Sequence, residues 1–111
     1  MLPSPIDFME HILDECRYLM MEYDSNTYAD FVSNERLIRA VCRSLEIIGE
    51  ACSKINPDIK TLAPQVSWRE MSDMRNRIIH NYFGIDYEII WSTLENDIPT
   101  LKEEIELLLK K

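Results

Sequence analysis

Residues 34–54 read NERLIRAVCRSLEIIGEACSK. Leu37, Val41, Leu45, Ile48 and Cys52 recur every three or four positions, the spacing that lines one side of an α-helix and turns it towards a core. A second stripe, Arg36, Arg39, Arg43, Glu46 and Glu50, keeps the same rhythm. It is either a solvated face stitched by pairs such as Arg43 with Glu46, or a polar seam turned towards a second subunit or a substrate. Gly49 costs this helix about 1 kcal/mol relative to alanine, so another backbone is expected to pass close to it.

The flanking sequence is helical too. Upstream, Ser4-Pro5-Ile6-Asp7 supplies a capping serine, a proline at the first helical position and an acid near the positive helix end. Ile6, Met9, Leu13, Cys16, Met20 and Tyr23 then give an inward face to a helix ending near Tyr23. A polar break at Asp24-Ser25-Asn26 leads into a short turn carrying Tyr28 and Phe31. Downstream, Asn56-Pro57-Asp58 opens a loop or one-turn helix that lasts to Ala63-Pro64-Gln65. Ser67 and Glu70 form a capping box for a further helix, which Gly84 is placed to end. A last helical region begins at Asp86, with Ile89, Ile90, Leu94 and Ile98 inward, and continues through Leu101, Ile105 and Leu108. Pro99 should kink or split it. No segment alternates with period two, so the expected fold is all-α, an up-and-down bundle of four to five helices.

Composition sets the frame for function. The 111 residues, 46% of them hydrophobic, suffice for one domain spanning 1–111 with a real core and no staples. There is no apolar run long enough to cross a bilayer and no secretory pattern in Met1-Leu2-Pro3-Ser4-Pro5, so a cytoplasmic protein without membrane contact is expected. Cys16, Cys42 and Cys52 are odd in number, widely spaced and set in apolar stretches, which reads as reduced core thiols. His11 and His80 lack a second ligand at zinc-like spacing, so no structural metal is expected, although carboxylates leave a catalytic metal open. The net charge of −8 argues against indiscriminate attraction to nucleic acid. Charge is unevenly spread, however: six of the seven arginines, at 36, 39, 43, 69, 75 and 77, lie in the middle of the chain, where any anion site belongs.

Within that middle, residues 71–83 read MSDMRNRIIHNYF. At about 100° per residue, Asp73, Asn76 and His80 share one helix face with Arg77 between Asp73 and His80, while Arg75 lies about 140° away from His80. Arg75 and His80 therefore meet at one substrate only through the reach of the arginine, a distorted helix end or a cleft shared by two subunits; we favour the shared cleft. A histidine with nearby arginines suits phosphodiester cleavage in RNA. Imidazole moves a proton to or from the 2′-hydroxyl or the leaving oxygen, guanidinium stabilises charge on the phosphorus, and the substrate brings its own nucleophile. Spacing alone favours the plainer reading, an Asp73–Arg77 pair and a histidine that merely finishes the helix.

Arg75-Asn76, a short spacer and then His80-Asn81-Tyr82 resemble the signature of HepT-like toxins of the HEPN superfamily. Arg43–Ala51, Trp68, Met71, Trp91 and Pro99 match its surroundings. The resemblance implies a helical bundle of the HEPN type, a homodimer, and a metal-independent endoribonuclease without cofactor, the toxin of a toxin-antitoxin pair. On this sequence Arg75 and His80 would be catalytic and Asn76 supporting. Tyr82 would be the tyrosine that a minimal nucleotidyltransferase antitoxin modifies with AMP, adding charge and bulk that repel RNA. The alternative is a noncatalytic helical subunit that binds nucleotide or presents substrate to such a partner. Trp68, Phe83, Tyr87 and Trp91 are assigned to no RNA contact, since at helical spacing such rings fill cores.

Overall fold

The computed structural model describes residues 4–80 and 86–110, with Ile79 and His80 described in their backbone alone. Its elements are α1 (Pro5–Ser25), α2 (Tyr28–Ser33), α3 (Glu35–Ser53), α4 (Pro57–Lys60), α5 (Trp68–His80) and α6 (Tyr87–Leu109). No strand occurs among the described residues. The all-α bundle is thus observed, as four long helices with α2 and α4 as short additions.

Side-chain caps set most of the helix starts. At α1 the Asp7 N–H donates to Ser4 Oγ at 3.2 Å and the Ser4 N–H donates to Asp7 Oδ2 at 2.8 Å, a closed capping box with Pro5 in the first turn. The Leu37 N–H donates to Asn34 Oδ1 at 3.1 Å to start α3. Asp86 Oδ1 accepts from the Glu88 and Ile89 N–H groups at 3.0 and 3.2 Å to start α6. Gly84, expected to end α5, lies outside the described residues.

One local expectation changes and another is narrowed. The stretch around Tyr28 and Phe31 is a six-residue helix rather than a turn. A second capping box makes it: the Asp30 N–H donates to Thr27 Oγ1 at 3.1 Å and the Thr27 N–H to Asp30 Oδ2 at 2.9 Å. Pro99 does not split the last helix, and α6 continues through it as one element. The carbonyl that proline leaves without a backbone donor is that of Glu95, an exposed residue. The next carbonyl, that of Asn96, accepts from Thr100 Oγ1 at 3.5 Å.

The core follows the stripes. α3 packs on α1 and on α5, and α1 packs on α6. Leu45, Ile48 and Val41 of α3 meet Ile12 and Leu19 of α1 and Ile98, Leu101 and Ile105 of α6 in one fully buried cluster. Ser44, buried beside them, donates to Glu15 Oε1 at 2.7 Å and so links α3 to α1. Phe31 anchors α2 by stacking on Trp91, with ring centroids 5.0 Å apart, and Tyr23 lies 4.9 Å from the same indole. The Trp68 indole N–H donates to the Ala63 carbonyl at 3.0 Å, tying the start of α5 to the preceding loop. No helix among the described residues is long and apolar enough to cross a membrane.

Candidate active site

The site is built where α5 crosses α3. A Cβ on Gly49 would stand 2.8 Å from the Met71 carbonyl oxygen and 2.9 Å from Arg75 Cβ. The absent side chain therefore brings α5 onto the α3 backbone, the close approach expected at this glycine, and it does so at Arg75. Met71, Met74 and Ile78 turn inwards along α5, which leaves Arg75 at the edge of the packed face.

Arg75 is held from two directions. Its Nη1 donates to Glu50 Oε2 in an ion pair, and its Nη2 donates to Asn76 Oδ1 at 3.1 Å. Its Nε is buried and has no hydrogen-bond partner among the described residues. Glu50 is also shared with Lys54, whose Nζ lies 3.4 Å from the other carboxylate oxygen. The hydrogen bond from Arg75 is the main reason the Glu50 carboxyl is held below its ordinary range, with Lys54 adding to it. Asn76 thus touches Arg75.

His80 is the final residue of α5, and its side chain lies outside the described residues, as does all of Tyr82. Asp73 and Arg77 are both exposed and form no ion pair with each other. The stripe on α3 divides in two. Arg39 pairs with Glu35 and Arg43 with Glu46 on an exposed surface, whereas Glu50 turns to α5 and Arg75. No role for Glu50 at Arg75 was expected from the sequence. Its one signal was its place beside Gly49, because a residue next to a close approach is the one that reaches the approaching helix.

Two clefts flank α5, and their charges differ. One, of about 370 Å³, lies between α1, α3 and α5 with Phe8, Ile47 and Ala51 as its apolar part. Arg43, Lys54 and Arg75 line it against Glu46 and Glu50, with His11 at its side. The other, of about 510 Å³, is enclosed by Glu70, Asp73, Asp86, Glu88 and Asp97 with Arg77 as its cation. Burial, and then Glu70, push the Asp97 carboxyl above its ordinary range there. The second cleft thus carries five carboxylates against one cation, and the first three cations against two carboxylates. Among the described residues no group of histidine, cysteine and carboxylate side chains is arranged to hold a metal ion.

Comparison with known proteins bears on the same helices. The family model described as "Ribonuclease HepT-like" matches residues 9–108, which takes in α3, α5 and most of α1 and α6. The chain belongs to the HepT-like ribonuclease family. "Putative RNase TTE0752" of Caldanaerobacter subterraneus subsp. tengcongensis is 39% identical over 110 residues, covering 99% of this chain and 98% of its own length. "Probable ribonuclease HepT" of Thermococcus cleftensis is 40% identical over 104 residues, 94% of each chain. "Putative RNase MJ1380" of Methanocaldococcus jannaschii is 40% identical over 101 residues, 91% of this chain and 93% of its own. No solved structure matches. In this HepT-like chain the matched region contains Arg75, Asn76 and His80, together with Tyr82.

Proposed function

We propose that this chain is a metal-independent endoribonuclease, the toxin of a toxin-antitoxin pair, in which Arg75 and His80 cleave RNA and Tyr82 is the site of an inactivating AMP transfer. The observation that carries this reading is the anchored Arg75 guanidinium, standing on the helix that ends in His80 and opening on the more cationic of the two clefts. Membership of the HepT-like family supports it, and the names of the relatives point to the same reaction class.

In the proposed reaction the ribose 2′-oxygen attacks the adjacent phosphorus and the bond to the 5′-oxygen of the next nucleotide breaks. The products are a 2′,3′-cyclic phosphate and a free 5′-hydroxyl. His80 moves the proton between these oxygens, and Arg75 stabilises the extra charge on the phosphoryl oxygens. Asn76 holds one edge of the guanidinium. Arg75 and His80 diverge by about 140° around an ideal helix, so the productive pair is formed across a homodimer, each subunit giving one of the two groups. An AMP group on Tyr82, two residues beyond His80 in sequence, adds negative charge and bulk and so repels or blocks RNA.

The test is cleavage of total RNA by purified, unmodified protein in EDTA, beside Arg75→Ala, His80→Ala and Tyr82→Phe. Loss of cleavage in the first two and its retention in the third is the expected result. Intact RNA throughout, from protein shown by mass to carry no AMP, would instead assign the chain to noncatalytic binding.

A further inference from the structure

We infer that Glu50 is a positioning residue for the reaction: its carboxylate sets the orientation in which Arg75 meets the substrate phosphate. The inference rests on the ribonuclease reading of Arg75 and adds to it a residue from a different helix.

The geometry starts with the backbone. Gly49 lets α5 settle against α3 until the root of Arg75 touches it, so the neighbouring residue on α3 falls within reach of the guanidinium. Glu50 uses that reach with one oxygen on Arg75 Nη1, while Lys54 at 3.4 Å steadies the other. Asn76 Oδ1 accepts from the other terminal nitrogen, Nη2, at 3.1 Å. With both terminal nitrogens tethered, the guanidinium plane is fixed at two points about its long axis.

The fixed group still has donors to offer. A guanidinium carries five N–H groups, and Glu50 and Asn76 each engage one, leaving an N–H on each terminal nitrogen. The side chain remains 36% exposed beside the cleft, so those donors can be reached. Electrostatic stabilisation of a phosphoryl group depends on donors already aimed when charge develops, whereas an untethered arginine must be ordered at each encounter. The pair itself does little for folding, because both partners are more than a third exposed and such pairs contribute weakly. Its effect is expected in turnover, not in stability.

A mask is the opposite arrangement, in which Glu50 occupies the place of the phosphate and must be displaced. The two differ in the sign of one substitution. The experiment measures kcat and KM of the full-length protein on a defined single-stranded RNA for wild type, Glu50→Gln, Glu50→Asp and Glu35→Gln. Melting temperatures and the Arg75 side-chain ¹⁵N–¹H signals are recorded for each. Glu35 pairs with Arg39 on the exposed face and serves as the control. For Glu50→Gln we expect kcat to fall on the order of ten- to hundredfold with KM within about threefold, and the Arg75 signals to move, at nearly unchanged melting temperature. Glu50→Asp, which keeps the charge, should recover part of the kcat, and Glu35→Gln should behave as wild type. Unchanged or faster turnover in Glu50→Gln overturns the inference, as does a kcat loss without movement of the Arg75 signals or with an equal loss in Glu35→Gln. These outcomes leave the ribonuclease reading standing, while a wild-type protein that cleaves nothing removes both.

Discussion

A methyl group on Gly49 would meet the Met71 carbonyl oxygen and the Arg75 Cβ at 2.8 and 2.9 Å, and neither can swing aside, one being backbone and the other the root of a helical side chain. Gly49→Ala gains up to about 1 kcal/mol of helix propensity but must push α5 away. Overpacking of this kind costs about 1–3 kcal/mol, so we expect a net loss of stability, read as a lower urea midpoint at unchanged slope. Cleavage should fall by more than the small change in folded population, since the displaced residue is Arg75. At this scale the sequence was informative about one partner of the contact and silent about the other. A glycine inside an amphipathic helix announces a close neighbour, but which helix arrives depends on packing that no local pattern encodes. Glu50 was hidden for the same reason, since its spacing fits a solvated stripe as well as an arginine partner from another helix. The contact of Asn76 with Arg75 needed no such packing, since the two are neighbours in the chain.

Helices α1, α3 and α6 were readable in position because each carries both a long apolar stripe and a polar start. α2 was not, because six residues are too few for periodicity to show. Its Thr27–Asp30 box was present in the sequence, but it gains force only because Phe31 finds Trp91 to stack on. At Pro99, of the kink or split expected, the split does not occur: Ile98, Leu101 and Ile105 are buried on either side and α6 stays one element. Proline in a helix interior costs about 3 kcal/mol relative to alanine when nothing compensates. Pro99→Ala restores the donor to the Glu95 carbonyl, and we expect it to raise stability by about 1–2 kcal/mol, seen as a higher melting temperature. Unchanged or lower stability would mean that the proline ring packs in a way alanine cannot replace.

Over the whole molecule, charge and core are separated in a manner that composition alone conceals. A chain of net charge −8 presents a cleft with three cations beside α5 and reserves five carboxylates for the cleft on the other side. The all-α class followed from summed periodicity, which is a property of the entire chain, whereas a site assembled from separate helices, and in our proposal from two subunits, follows from none of its segments. The reduced thiols were legible and are all buried, with burial pushing Cys42 up to about 11 and Cys52 up to about 12, and Cys16 upwards as well. We expect a water-soluble thiol reagent at neutral pH to modify none of the three rapidly in the native protein and all three in denaturant, so that labelling reports opening of the bundle. Fast modification of any one in native conditions would contradict the packing. The two tryptophans have a different consequence. Trp68 is hydrogen-bonded to the Ala63 carbonyl at the root of α5, and Trp91 is stacked on Phe31 with Tyr23 tilted against it where α1, α2 and α6 meet. The chain thus carries two fluorophores in unlike surroundings. Replacing either with phenylalanine leaves a single-colour probe, one watching the arm that bears Arg75 and the other the aromatic seam, so the light emitted can say which part of the molecule an incoming ligand has disturbed.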